Sequence, residues 1–335
     1  MSQRLRSWAA KRFPFVLPLI LLVLSWPWAV YGFVRMLPLG RSGKRLCWIL
    51  AMALGAATWV YYGAGAIAGA LIFIVPVLVV LAQQLSLRPN LYADWVDEQA
   101  ELATAQFEGD DVILRNYRHT VYRTLEDNDV HFLERRFDLS RVCRVDFIAV
   151  PFGGWRGVAH VFLTFGFSDG EYLAVSVEAR REVGEPYSPV DGLYQQYEVI
   201  YVFGDERDLI GKRALFQKHP VHLLPMISNP ESARAILTGM LEAANRLAQV
   251  PEFYHSVTNT CTSNILNHAS GLESVPSRYD FRLVFPGYAD GLLVETGLLE
   301  APDSMAALRE ATLINSLAAA APMDDGKAWS RALRM

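Results

Sequence analysis

Cysteine is scarce in this chain. Its 335 residues carry three, Cys47, Cys143 and Cys261, and no Cys-x-x-Cys pair. That count supports neither a disulfide framework nor a zinc ribbon, so the fold must stand on its own apolar core. No His-Glu-x-x-His motif occurs, and His255, Cys261 and His268 match no zinc-ligand spacing, so no metal is expected. A surplus of positive charge is also missing: Lys and Arg number 31 against 35 Asp and Glu, for a net charge of −4. No basic patch with interleaved aromatics appears, which excludes nucleic acid as an expected partner. The glycine-rich stretch Phe152-Gly-Gly-Trp-Arg-Gly157 is not closed by Gly-Lys-Ser/Thr, so it is no Walker loop, and no cofactor is called for. Fixed-period repeats and low-complexity segments are absent as well.

What is present in excess is apolar: 52% of residues. Residues 14–34, PFVLPLILLVLSWPWAVYGFV, contain no charge and suffice to cross a hydrocarbon core of ~30 Å as a helix. A second block, 46–82, also lacks Lys, Arg, Asp and Glu; as one helix it would reach over ~50 Å, so a break near Gly63-Ala-Gly65 is expected. The reading is a membrane region over 1–85 with spans near 14–34, 46–62 and 65–83, and Trp26, Trp28, Trp48, Trp59, Tyr61 and Tyr62 as interfacial anchors. The basic tail (Arg4, Arg6, Lys11, Arg12) is balanced by Arg35, Arg41, Lys44 and Arg45 after the first span, so charge does not choose the orientation. Three spans from an inside N-terminus put the rest outside the cytoplasm; two keep it inside.

Residues 86–107 read as an acidic linker partly folded onto a domain over 108–270, with 271–335 as a C-terminal extension packing on it. Residues 112–115 and 145–150 read as strands, and the charged stretch 117–144 between them reads as solvated surface. Residues 160–167 and 172–179, joined by Ser168-Asp-Gly170, form a hairpin pattern, and 197–203 adds a further strand. Asn229 and Pro230 open a helix over 230–248 with apolar residues at helical spacing, and 304–319 predicts another. The fold class is therefore α+β.

Chemistry concentrates at Cys261. Thr258, Asn259 and Thr260 are capping residue types, and Ile265, Leu266 and Ala269 recur at helical spacing, so Cys261 falls in a first helical turn. Free N–H groups and the helix dipole there favour a thiolate nucleophile. His160, on an apolar strand, is the candidate base, with Glu178 or Ser176 on the next strand to orient its ring and Glu178 preferred because a carboxylate stabilises imidazolium. The N–H groups of Cys261 and Thr262, with the Asn259 side chain, are candidate oxyanion donors. Trp155 and Arg156 are candidates to meet an acyl chain or membrane surface and a phosphate, and the polar cluster that includes Arg180 and Tyr197 to hold a head group. The competing reading is structural: a buried inert cysteine, a satisfied core histidine and surface ion pairs.

Several stretches together are more specific than one Cys and one His. Val158-Ala-His-Val-Phe-Leu-Thr-Phe165, Ser176-Val-Glu-Ala-Arg-Arg-Glu-Val-Gly-Glu185, Tyr197-Glu-Val-Ile-Tyr-Val-Phe-Gly-Asp-Glu-Arg-Asp208 and Thr258-Asn-Thr-Cys-Thr-Ser-Asn264 resemble the bacterial family named for the N-terminal periplasmic domain of Lnb. The resemblance implies a permuted papain-like, NlpC-type antiparallel sheet with packed helices, in which the histidine strand precedes the cysteine helix. It also implies a membrane-anchored periplasmic acyltransferase or hydrolase of the bacterial inner membrane. Cys261 would carry a thioester drawn from a phospholipid or lipoprotein substrate, and His160 would act as base and acid. Two departures stand out: the hydrophobic segments here precede the domain, and Thr260 rather than Asn stands directly before Cys261. A non-catalytic envelope protein binding a lipid or partner on the same fold is the alternative.

Overall fold

The computed structural model describes residues 67–268, 277, 280–300 and 303–335, together with 26–32, 34, 35, 47, 51, 52 and 55. The chain divides into two compact units, Met1–Arg88 and Pro89–Met335. In the first, helix α1 (Ile67–Ser86) carries no acidic residue in its first turn and no basic residue in its last. Its described side chains Ile74, Val75, Leu78, Val79, Leu81 and Leu85 are exposed. Most of the expected spans 14–34 and 46–62 lies outside the described residues, as do the side chains of 67–73. Among the described residues no helix is long and apolar enough to cross a membrane.

The second unit is built on one eight-stranded sheet. Its strands are β1 (Thr104–Glu108), β2 (Asp111–Tyr122), β3 (Asn128–Asp138), β4 (Val142–Pro151), β5 (Ala159–Phe167), β6 (Tyr172–Arg180), β7 (Glu198–Gly204) and β8 (His222–Pro225), in the order β1-β2-β7-β6-β5-β4-β8 with β3 also on β2. All pairings are antiparallel except β2 with β7, which meet in parallel at Arg118 and Gly204. Helices are α2 (Glu206–Gly211), which runs into a π-helical turn over Lys212–Phe216, α3 (Pro230–Gln249), α4 (Cys261–His268), α5 (Ala289–Glu295), α6 (Met305–Thr312), α7 (Asn315–Ala320) and α8 (Gly326–Ala332). This is a mixed α+β fold with an antiparallel-dominated sheet.

Both faces of the sheet are covered, which is why its central strands are buried along nearly their whole length instead of alternating. On one face Phe147, Val161, Leu163 and Tyr201 pack with Ile236, Leu237, Met240 and Leu241 of α3 and with Cys261. On the other, Ile148, Phe162, Ile200 and Val202 pack with Leu209 and Ile210 of α2, Ala318 of α7 and Trp329 of α8. Helix α3 begins as its sequence dictates: Asn229 accepts from Ser232 N–H at 2.7 Å, Pro230 occupies the first turn, and the apolar stripe turns inward.

One break in the sheet positions the site. β4 and β5 stay paired out to Pro151↔Ala159 and β6 and β7 out to Arg180↔Glu198. β5 and β6 pair only between Leu163↔Val175 and Gly166↔Tyr172. Toward Ala159 they separate into a wedge, and α4 packs against both strands.

Three expectations are corrected. The stretch 117–144, read as charged surface, forms most of a long hairpin, β2 with β3. Most of its charges are exposed, among them Glu134 and Arg136 of β3, which pair in the open with Arg115 and Asp111 of β2, but Arg118 is buried. The helix expected over 304–319 is broken, because Leu313 bridges to His222 and Ile314 donates to Val221 O at 2.9 Å, docking the chain beside β8 between α6 and α7. The segment read as a linker joins the domain from Pro89 onward: Trp95 and Gln99 are buried, and β1 is part of the sheet.

The C-terminal segment closes on the glycine-rich β4–β5 loop. Gly153 and Gly154 hold φ of +74° and +77°, a conformation open to glycine and costly to other residues. A methyl group at Gly287 would meet the Arg156 carbonyl oxygen at 1.5 Å, so the two segments touch backbone to backbone. Gly287→Ala is expected to cost about 1–3 kcal/mol or more through forced separation, read as a lowered urea midpoint with an unchanged slope; an unaltered midpoint contradicts this packing.

Candidate active site

Thr260 caps α4. Its hydroxyl accepts from Ser263 N–H at 3.1 Å while Ser263 Oγ accepts from Thr260 N–H at 2.8 Å, a reciprocal arrangement like a capping box. Cys261 is thus the first helical residue, inserted at the mouth of the β5–β6 wedge. Its sulfur lies 3.8 Å from Thr262 Oγ1. The backbone N–H groups of Val161, Thr262 and Cys261 act on it to favour the thiolate, yet burial outweighs them and pushes the thiol pKa up. The thiolate expected from helix position alone is therefore not the resting form.

His160 leaves β5 on the opposite side of the wedge, its ring 18% exposed and stacked on Phe162 at 5.6 Å. Nε2 lies 2.7 Å from Ser176 Oγ, and Ser176 Oγ donates to Glu178 Oε1 at 2.9 Å. Glu178 is ionised: burial alone would raise its pKa, but the charges of Arg213, Arg118 and Lys212 hold it well below the usual range. A carboxylate only accepts, so Ser176 gives it the hydroxyl proton and must accept from Nε2–H. The ring is then the Nε2–H tautomer, with a lone pair on Nδ1. Nδ1 makes no hydrogen bond to a described residue. Burial, and next the charge of Arg213, push the His160 pKa down to about 3, with Glu178 opposing. The ring is neutral at ordinary pH, as a base must be.

Behind the ring the polar contacts are nearly saturated. Arg213 donates to Glu178 Oε1 at 2.8 Å and to Leu209 O at 2.6 Å, and Gln99 Nε2 donates to Glu178 Oε2 at 3.0 Å. Lys212 pairs with Glu98, which also accepts from Tyr122 OH at 2.9 Å. The π-helical turn displays Lys212 and Arg213 side by side, a common use of that irregularity.

Cys261 and His160 line the same cavity, about 270 Å³, with Glu178, Arg181, Lys212 and Arg213 on its polar wall. A second cavity of about 250 Å³ adjoins it, lined by Val158, Val190, Leu193, Leu283 and Phe285 among others. Phe152, Ala159, Tyr187, Tyr254 and Cys261 belong to both, so the sulfur stands where a polar lobe meets an apolar one. Among the described residues no hydrogen bond joins the sulfur to His160, and no cluster of His, Cys, Asp and Glu suits a metal ion.

Residues 128–287 match the family model of the Lnb N-terminal periplasmic domain. The match agrees with the resemblance drawn from the motifs. No curated protein and no solved structure matches the chain. The matched region runs from the start of β3 to Gly287, so it includes His160, Ser176, Glu178, Arg213 and Cys261 and stops short of Asp290.

Within the second unit the expected residues divide. Cys261, His160 and Glu178 come together around one cavity, with Thr262 on the apolar lobe. Ser176, the weighed alternative, holds the ring directly; Glu178 Oε1 is 3.9 Å from Nε2 and acts through Ser176. Asn259, expected at the oxyanion, lines neither lobe: its amide donates to Phe253 O at 3.0 Å and its oxygen accepts from Asn264 at 2.7 Å, tying the turn before α4. Arg156 holds Asp290 at 2.8 and 2.9 Å instead of facing the cavity. Arg180 lies over Trp95 at 4.2 Å and donates to the carbonyls of Gln99 and Ala100. Tyr197 is buried, its hydroxyl bonded to Pro186 O and Ser188 N–H. Trp155 is half exposed and packs edge-on against Phe285 of the apolar lobe at 5.1 Å. Sequence reading missed Arg213, Gln99 and the Val161 N–H, which reach the site from a π-helical turn, a 3₁₀ turn and a strand backbone and leave no motif.

Proposed function

We propose that the Lnb-type domain is a thiol-dependent acyltransferase or hydrolase acting through Cys261 and His160 on a lipid acyl or amide substrate. The observation that carries this reading is the placement of the Cys261 sulfur and the ring bearing a free Nδ1 on one cavity, at its junction with an apolar lobe able to receive an acyl chain. In the proposed reaction Nδ1 takes the thiol proton as sulfur attacks the carbonyl carbon. The oxyanion is met by the N–H groups of Cys261 and Thr262, and the imidazolium returns the proton to the departing oxygen or nitrogen. The resulting thioester is then cleaved by an amine, as in lipoprotein N-acylation, or by water. Ser176 and Glu178 hold the ring and offset its charge once protonated.

The histidine strand preceding the cysteine helix suits a permuted papain-like, NlpC-type order. The exposed apolar side chains of α1 support anchoring in the bacterial inner membrane, with a phospholipid or lipoprotein as substrate. Incubation of the full chain with a phospholipid carrying a labelled acyl chain is expected to leave a hydroxylamine-labile acyl mass on the Cys261 peptide. Substrate consumption with no such adduct after rapid acid quench contradicts the thioester route. A second reading, a non-catalytic envelope protein binding lipid or protein in the same cavity, is favoured by the neutral thiol and the absence of a direct Cys261–His160 hydrogen bond. That reading expects saturable lipid binding with neither adduct nor turnover.

A further inference from the structure

The two lobes meeting at Cys261 differ in electrical character. Three cations, Arg181, Lys212 and Arg213, face two carboxylates, Glu98 and Glu178, across the polar lobe. Lys212 is spent on Glu98 and Arg213 on Glu178. The next charges behind the wall, Arg118 and Asp208, cancel each other at 2.8 Å. Arg181 is the cation left over. Its only hydrogen bond from the guanidinium to a described residue runs to the Glu185 carbonyl at 3.3 Å, and no described carboxylate lies within ion-pair distance of it. Its own N–H is fixed by Gln99 Oε1 at 2.9 Å, the same amide that buttresses Glu178, so Arg181 is tied to the framework that holds His160. Gln217 and His219 add further polar side chains to the same wall.

We infer that the polar lobe is a subsite for an anionic oxygen-acid group of the substrate, a phosphate or carboxylate, with Arg181 as its principal charged contact. The inference rests on the reading of Cys261 as the nucleophile, and it adds which end of the substrate lies in which lobe: the acyl chain on the Leu283–Phe285 side, the acidic group on the Arg181 side. A guanidinium with unspent donors presents a planar fork suited to both oxyacids. The geometry also gives the subsite a part in the chemistry. Burial first and the positive field of Arg213 next keep the imidazole from accepting a proton; an anion held in the subsite offsets the second of these, so the correct substrate improves the base that activates the thiol.

The test uses the full chain and two small alkylating reagents of similar size, anionic iodoacetate and neutral iodoacetamide, with modification at each cysteine followed by peptide mass spectrometry. Exposed Cys143 is the internal reference. Relative to Cys143, the iodoacetate-to-iodoacetamide rate ratio at Cys261 is expected to be raised roughly five-fold by one uncompensated charge. The ratio should fall to the Cys143 value in Arg181→Gln and return in Arg181→Lys. A melting curve and the Cys143 ratio, both unmoved by the substitution, show that the fold is kept. Inorganic phosphate and acetate, added separately as competitors, tell which oxyacid is preferred, and protection by either supports the subsite. A wild-type ratio equal to that of Cys143, or a raised ratio that Arg181→Gln leaves unchanged, overturns the inference while the nucleophile stands. Resistance of Cys261 to both reagents means that the sulfur is not reached from the cavity, which overturns the nucleophile and the subsite together.

Discussion

Cys261→Ala is expected to lower turnover of an acyl ester or amide by about 10⁴-fold or more, because no other described thiol or base can take the place of the sulfur at the junction of the two lobes. The residue is small and borders the cavity, so the variant should keep its melting temperature within a few degrees (~3 °C); loss of activity is then a chemical loss. The pH profile of the wild type sharpens the same expectation. Burial pushes the thiol pKa up and the imidazole pKa down to about 3, so the resting pair is neutral. Raising the pH removes the thiol proton, and iodoacetamide alkylation of Cys261 should climb only above the pH range in which an ordinary cysteine thiol ionises, with no step near roughly pH 6.5 from His160. A plateau reached by pH 6 would reveal a preformed thiolate–imidazolium pair and contradict this description of the resting site.

Arg118→Leu should produce the largest loss of stability of any single substitution considered. Arg118 is 2% exposed and grips Asp208 through two bonds of 2.8 and 2.9 Å, while Asp208 also accepts from Thr120 N–H at 2.9 Å. The pair fastens β2 to α2 at the single point where β2 and β7 run in parallel. Removing the guanidinium leaves a carboxylate buried without its counter-charge, at an expected cost of about 3–5 kcal/mol. Chemical denaturation of the two variants measures this. Arg118→Leu alone should move the urea midpoint far down, and Arg118→Leu with Asp208→Leu should recover a large part of the shift. Equal destabilisation by the single and double changes would mean that lost packing, not stranded charge, governs the site. Arg118 also helps to hold Glu178 ionised, so the single variant should weaken the Ser176–Glu178 support of His160 as well.

Much of the central sheet could be read from the sequence because its strands announce themselves locally. The Ser168-Asp-Gly170 turn fixed the β5–β6 hairpin, and the apolar stripe of residues 230–248 was enough for α3. The placement of the candidate residues was legible to the same extent: a cysteine behind capping residues and a histidine on an apolar strand do face one cavity. What could not be read was long-range. The outer strand β3 is disguised by charges that pair across to β2, and α6 and α7 are separated by a docking contact 90 residues away in sequence, from Thr312 to His222. Asn259 looked like an oxyanion donor and instead ties its own turn, because a side-chain amide next to unsatisfied backbone groups binds those first. Ser176 and Glu178 were indistinguishable as partners of His160 until the strand geometry showed the hydroxyl in contact and the carboxylate behind it.

The wedge between β5 and β6 is, in effect, a pair of sheet edges placed in the interior of the molecule. Edges attract other strands, and here the stopper is α4, which is encoded after every strand of the sheet. A growing polypeptide therefore completes all eight strands before the residue that seals the gap has been made. Until α4 has been made, the rims of the wedge lack the element that covers them in the folded domain.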